Sequence, residues 1–72
     1  MKVSYDQEAD AIYIKLSDEQ PEGVIEVKEG VNLDLTSDDR IVGIELLDAG
    51  KKFSLKSFLS YEFSPELLNK AI

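Results

Sequence analysis

The sequence contains no histidine and no cysteine. Their absence removes the Ser-His-Asp and Cys-His nucleophile systems. It also removes the usual ligands of zinc and other transition metals, leaving only oxygen donors suited to hard cations. Without cysteine no disulfide staples the fold. Glycine is sparse: the four glycines stand isolated at positions 23, 30, 43 and 50, so neither phosphate-cradling glycine loop is present. No apolar run approaches the ~18 residues of a membrane span. The opening Met1-Lys2-Val3-Ser4-Tyr5 lacks the apolar core of a signal peptide. No membrane association is expected, and the cytoplasm is the default compartment. Positive charge is short too: 8 basic side chains stand against 15 acidic ones, a net charge of −7. That argues against nucleic acid as a direct partner, because phosphate contacts need clustered Lys and Arg. Carboxylates, Lys, Tyr and Ser are the only possible catalysts left. No catalytic residue and no cofactor is implied, and an enzyme is not expected.

What is present is a pattern of strands. Seventy-two residues make one domain, and a chain this short buries roughly 60% of the surface that its unfolded form exposes. Apolar residues make up 43% of the chain and are spread along it, so disorder is not expected. In residues 1–50, short runs rich in Val, Ile and Tyr alternate with turn clusters at 7–10, 17–22 and 37–40.

A strand over 2–6 and another over 11–16 leave a four-residue hairpin loop. In that register Tyr5 faces Ile12, Val3 faces Ile14 and Met1 faces Leu16, all on one side. A slip of one residue would set Ser4 against Ile12, so the register is well specified. Strands over 31–36 and 41–47 repeat the logic, with Val31 facing Leu46, Leu33 facing Ile44 and Leu35 facing Val42. Between the hairpins, residues 23–28 form a further strand with Ile25 and Val27 turned to the core. Gly50 ends the last strand and suits a positive φ. Gly43, inside a strand, points to a bulge or to the close approach of another backbone.

The oily face of such a sheet needs a cover. Ser64-Pro65-Glu66 is a helix start, with a cap, a proline at the first position and an acid near the positive end of the dipole. A short helix over 65–71 follows. Residues 51–72 are therefore expected to pack on the sheet, although periodicity does not choose between helix and extended chain for 51–63. The fold class is α+β, mainly β: an antiparallel meander of about five strands in chain order, one face covered by a C-terminal helical segment. Phe53, Phe58, Tyr61 and Phe63 put four of the six aromatics into eleven residues. Such a cluster suits a core or an interface, and the core is the simpler reading.

Two groups of residues are candidate sites. Asp6, Glu8 and Asp10 have the D-x-E-x-D spacing that opens an EF-hand loop. The glycine and glutamate such a loop needs further on are here Ala11 and Ser17. A solvated hairpin turn, with Asp side chains bonding their own backbone, is the favoured reading, and a weak metal site is the alternative. On the polar side of the sheet, Tyr13, Asp34 and Glu45 are weak candidates for ligand binding or hydrolysis. Acid–base work by that pair would need burial to separate their pKa values.

The run Tyr5-Asp6-Gln7-Glu8-Ala9-Asp10-Ala11-Ile12-Tyr13-Ile14 resembles the opening motif of a prokaryotic family, the domain of unknown function 2283, typically Y-D-x-E-x-D-A-L/I-Y-I. The run Ile41-Val42-Gly43-Ile44-Glu45-Leu46-Leu47-Asp48-Ala49 is similar to that family's second block, V-V-G-I-E-I-L-D-A, and Leu33-Asp34 matches the strand between. The resemblance covers residues 1 to about 50. It implies a small single-domain protein with no assigned catalytic residue. It also implies an antitoxin role, because some such proteins occur beside small toxin-like proteins. The functional expectation is a non-enzymatic interaction module that self-associates as a homodimer, since a small sheet with two edges and an oily face is shielded by a second copy. The alternative partner is a small basic toxin, to which an acidic surface is complementary.

Overall fold

The computed structural model describes residues 1–72. Five strands form one antiparallel sheet: β1 (Lys2–Asp6), β2 (Ala11–Lys15), β3 (Gly23–Lys28), β4 (Val31–Leu35) and β5 (Ile41–Leu46). A one-turn helix α1 (Ala49–Lys52), a 3-10 segment (Leu55–Leu59) and a helix α2 (Pro65–Ala71) follow. No helix is long and apolar enough to cross a membrane.

The first hairpin has the expected register, with Asp6 opposite Ala11, Tyr5 opposite Ile12 and Val3 opposite Ile14. The second has Val31 opposite Leu46 and Leu33 opposite Ile44, then shifts. Leu35 pairs with Ile41 rather than Val42 because a bulge intervenes after Asp34. The Val42 carbonyl instead accepts hydrogen bonds from the Leu16 and Ser17 amides (2.8 and 3.1 Å).

The strand order is β1-β2-β5-β4-β3, which corrects the expected chain-order meander. β5 inserts between the hairpins, with Ile12 opposite Leu46 and Ile14 opposite Ile44. The reason lies in side-chain parity. β5 is the central strand, and between the hairpins its apolar face meets Ile12 and Ile14 of β2 on one side and Val31 and Leu33 of β4 on the other. β3, the strand expected next to β2, is left at an edge.

That edge position also corrects the expectation for Ile25 and Val27. Both are half exposed, and Val27 sits in a second bulge between Glu26 and Lys28. Only eight residues are buried, and the main cluster is small: Ile12, Leu46 and Ala49, with Ile14, Val31, Ile44 and Phe58 against it.

The helix over 65–71 forms where the sequence places it. The Ser64 hydroxyl accepts a hydrogen bond from the Leu67 amide and Pro65 starts the first turn. Phe58 is the part of the C-terminal segment that covers the oily face. α2 itself buries no residue, and Tyr61, Phe63, Leu67, Leu68 and Ile72 are all exposed. The core reading of the aromatic cluster thus holds for Phe58, and not for Tyr61 and Phe63.

Candidate functional site

The acidic opening builds a joint between two parts of the fold. The Asp6 carboxylate accepts the backbone amides of Glu8 (3.0 Å) and Ala9 (3.3 Å), closing the β1–β2 turn. Asp10 adopts a left-handed conformation (φ 51°), which Asp tolerates because its short side chain bonds locally. Its Oδ1 accepts the Tyr5 hydroxyl (2.8 Å) and the Gly50 amide (2.9 Å), while its carbonyl accepts the Ala49 amide (2.8 Å).

The turn therefore holds the start of α1 and sets fully buried Ala49 against Ile12. Glu8 stays in solvent. The three carboxylates do not converge, and no group of three His, Cys, Asp or Glu side chains is arranged to hold a metal ion. Asp48, rather than Gly50, takes the positive φ (52°) after β5. Gly50 lies inside α1, where a side chain would crowd the Asp10 carboxylate.

These hydrogen bonds have an electrostatic signature. The Gly50 amide, and next the Tyr5 hydroxyl, hold the Asp10 carboxyl below its ordinary value, because both bond the charged form. Asp38 is lowered by the Thr36 hydroxyl and Arg40, and Asp18 by Lys15. A carboxylate whose folded pKa is depressed contributes stability above its unfolded pKa and loses it as pH falls through the folded value. The urea midpoint is therefore expected to fall between about pH 5 and pH 2. Asp10→Asn keeps an acceptor and the left-handed turn but not the charge. It should lower the neutral-pH midpoint and shallow the acid fall, as read by circular dichroism at each pH.

The polar face gathers the other candidates. Tyr13 and Glu45 are cross-strand partners, as are Asn32 and Glu45. The Tyr13 hydroxyl donates to Asp34 Oδ2 (2.8 Å), reaching from β2 across β5 to β4. The Asn32 amide donates to Glu45 Oε1 (3.0 Å). The ring of Tyr13 crosses directly over Gly43, where a methyl group would overlap its hydroxyl and Cζ. This explains the glycine: the Tyr13 side chain makes the closest approach, and the Ile14 backbone carbonyl also comes close, at 3.1 Å.

The hydrogen bond to Asp34, followed by burial, raises the Tyr13 pKa, so the phenol remains a neutral donor. Each of these four side chains has a hydrogen-bond partner on the same face. None of the five principal hollows in the surface is lined by Tyr13, Asp34 or Glu45. The sequence places these three on one face, and the structure brings them together as a lattice that fixes β2, β4 and β5.

The hollow that does stand out is apolar. It measures about 320 Å³ and lies between β1 and the 3-10 segment, lined chiefly by Val3, Tyr5, Ile12, Leu55, Phe58 and Leu59. A second, of about 440 Å³, continues from it along Met1, Val3, Phe58, Tyr61 and Phe63. Sequence reasoning did not anticipate this trough, because it assigned the same residues to a closed core. The only available signal was the density of aromatics in 53–63.

Comparison with known proteins bears on the sheet. The family model described as "Protein of unknown function (DUF2283)" matches residues 2–49. A Methanosarcina mazei protein named "Putative hypoxanthine phosphoribosyltransferase" is 39% identical over 54 residues, 75% of this chain. The match spans 43% of that protein's length. No solved structure matches.

Proposed function

The chain belongs to the DUF2283 family, and from that premise we propose that it is a non-enzymatic protein-interaction module whose partner is a second copy of itself. One observation carries this reading. The accessible surface is 5896 Å², whereas a compact monomer of 8.1 kDa exposes about 4,500 Å². The excess of about 1,400 Å² per chain is of the size that an obligate homodimer interface buries. The radius of gyration, 13.6 Å, likewise exceeds the ~11 Å of a compact chain this long. Much of the excess is apolar, coming from Val3, Tyr5, Leu59, Tyr61, Phe63 and the leucines of α2.

The family signature supports the same reading from the other side. Tyr5, Asp6, Asp10, Tyr13, Gly43 and Glu45 are all engaged in turn, joint and lattice contacts, so each has a structural role that needs no chemistry to account for it. The phosphoribosyl transfer in the archaeal relative's name is not carried over. The matched stretch is less than half of that protein, and this chain has no phosphate-cradling glycine loop.

Light scattering on the full chain during size exclusion tests the reading, with about twice 8.1 kDa expected at micromolar concentration. Pull-down from the native host at low and high salt supplies the contrast. A small basic protein retained at low salt and released at high salt would favour the antitoxin alternative, to which the net charge of −7 is suited.

A further inference from the structure

Resting on that self-association, we infer that the two copies exchange their C-terminal helices: α2 of each chain lays its apolar stripe in the trough beside β1 of the other. Four observations meet in this arrangement.

The first is the helix itself. Leu67, Leu68, Ala71 and, at the C-cap, Ile72 fall on one side at helical spacing, with Glu66, Asn69 and Lys70 on the other. A stripe of this kind is built to be covered, yet Ile72 is 96% exposed and both leucines are more than half exposed. Intrinsic propensity does not hold a seven-residue helix in water. It needs a surface to lie on, and its own chain buries none of its residues.

The second is the receiving surface. The trough and its continuation run beside β1, sharing Val3 and Phe58, and neither is filled by this chain. β1 is one of the sheet's two outer strands and is exposed along its whole length.

The third is the connection. Ser60 (φ −129°, ψ 145°) and Ser64 (φ −73°, ψ 151°) are extended. Five extended residues reach up to ~17 Å. A segment of that length lets α2 reach away from its own sheet, as the hinge of an exchanged element does. Tyr61 and Phe63 pack against each other at a tilt (5.5 Å between centroids) and line the second hollow.

The fourth is charge. Residues 1–50 carry thirteen acidic and four basic side chains, and residues 51–72 carry two acidic and four basic. Stacking two sheets face to face would bring strongly acidic bodies together. The exchanged stretch, residues 60–72, carries only Glu62, Glu66 and Lys70, so laying its nearly neutral helix in an apolar trough avoids that repulsion, and a two-fold axis makes the contact twice.

The absence of cysteine provides a clean test. Two single variants, Val3→Cys and Leu68→Cys, are mixed as full-length chains, refolded together and oxidised. Exchange is expected to give a disulfide-linked pair containing one chain of each kind, identified by mass. Leu67→Glu with Leu68→Glu should weaken the dimer roughly 30-fold or more, as loss of a central anchor does. Both leucines are exposed in the single chain, so at high protein concentration the strand signal in circular dichroism should be preserved.

A wild-type dimer that is indifferent to the glutamates and forms no mixed disulfide overturns the exchange but leaves self-association standing. A disulfide forming within one chain of a Val3→Cys, Leu68→Cys double variant also overturns it, by showing α2 folded back on its own trough. A wild-type chain that remains at 8.1 kDa overturns both.

Discussion

Truncating Ile12 to alanine is expected to leave the protein largely unfolded under mild conditions. Ile12 is 2% exposed and stands at the meeting point of β2, β5 and α1, touching the main cluster on all sides. Removing a buried isoleucine side chain down to its β-carbon destabilises by about 2–5 kcal/mol, transfer and cavity together. A domain of this length has about 4–11 kcal/mol in total. With only eight buried residues this one belongs at the low end. Ile25→Ala provides the contrast: the same chemistry on half-exposed edge strand β3 should cost well under half as much. Urea titrations of both variants, followed by far-ultraviolet circular dichroism, give the comparison.

Gly43→Ala is the second large effect, expected at about 1–3 kcal/mol, the range for overpacking a filled site. The added methyl group must displace the Tyr13 ring, and with it the hydrogen bond to Asp34. Such a bond contributes about 0.5–1.5 kcal/mol net. A double-mutant cycle isolates the cause. In a Tyr13→Ala background the remaining close neighbour is the Ile14 carbonyl at 3.1 Å, which must give by a few tenths of an ångström, so the alanine at 43 should cost much less but not nothing. A coupling of about 0.5–3 kcal/mol between the two sites is expected. Equal effects of Gly43→Ala in both backgrounds would place the strain in the backbone instead.

The hairpins were legible because parity left no choice. Val3, Tyr5, Ile12 and Ile14 fit a single register, and the structure has it. The start of α2 was legible because Ser64 and Pro65 act within one turn of chain. Strand order was not, because it depends on which apolar faces pack best across forty residues, and no local signal records that Ile12 pairs with Leu46.

The two bulges were hidden for a related reason. Each is the adjustment of a strand to neighbours chosen elsewhere in the chain. At the acidic turn, sequence spacing identified Asp6 and Asp10 as turn formers. The partner of Asp10, the amide of Gly50, lies forty positions away and was out of reach. The aromatics of 53–63 were read as core because composition does not distinguish a buried ring from one awaiting a partner. Phe58 is partly buried against the main cluster, whereas Tyr61 and Phe63 are exposed.

The same apolar residues explain why so open a chain would fold at all. Three exposed leucines, an isoleucine and two aromatics in 59–72 are a liability for a monomer and an asset for a dimer. If the second copy supplies the missing cover, folding and association are one equilibrium, and stability depends on concentration. The thermal unfolding midpoint of the full chain, measured across a hundred-fold range of protein concentration, tests this most directly. A rise of roughly 5–10 °C from the dilute to the concentrated end is expected. A midpoint that does not move, with the chain sedimenting at 8.1 kDa throughout, would contradict it.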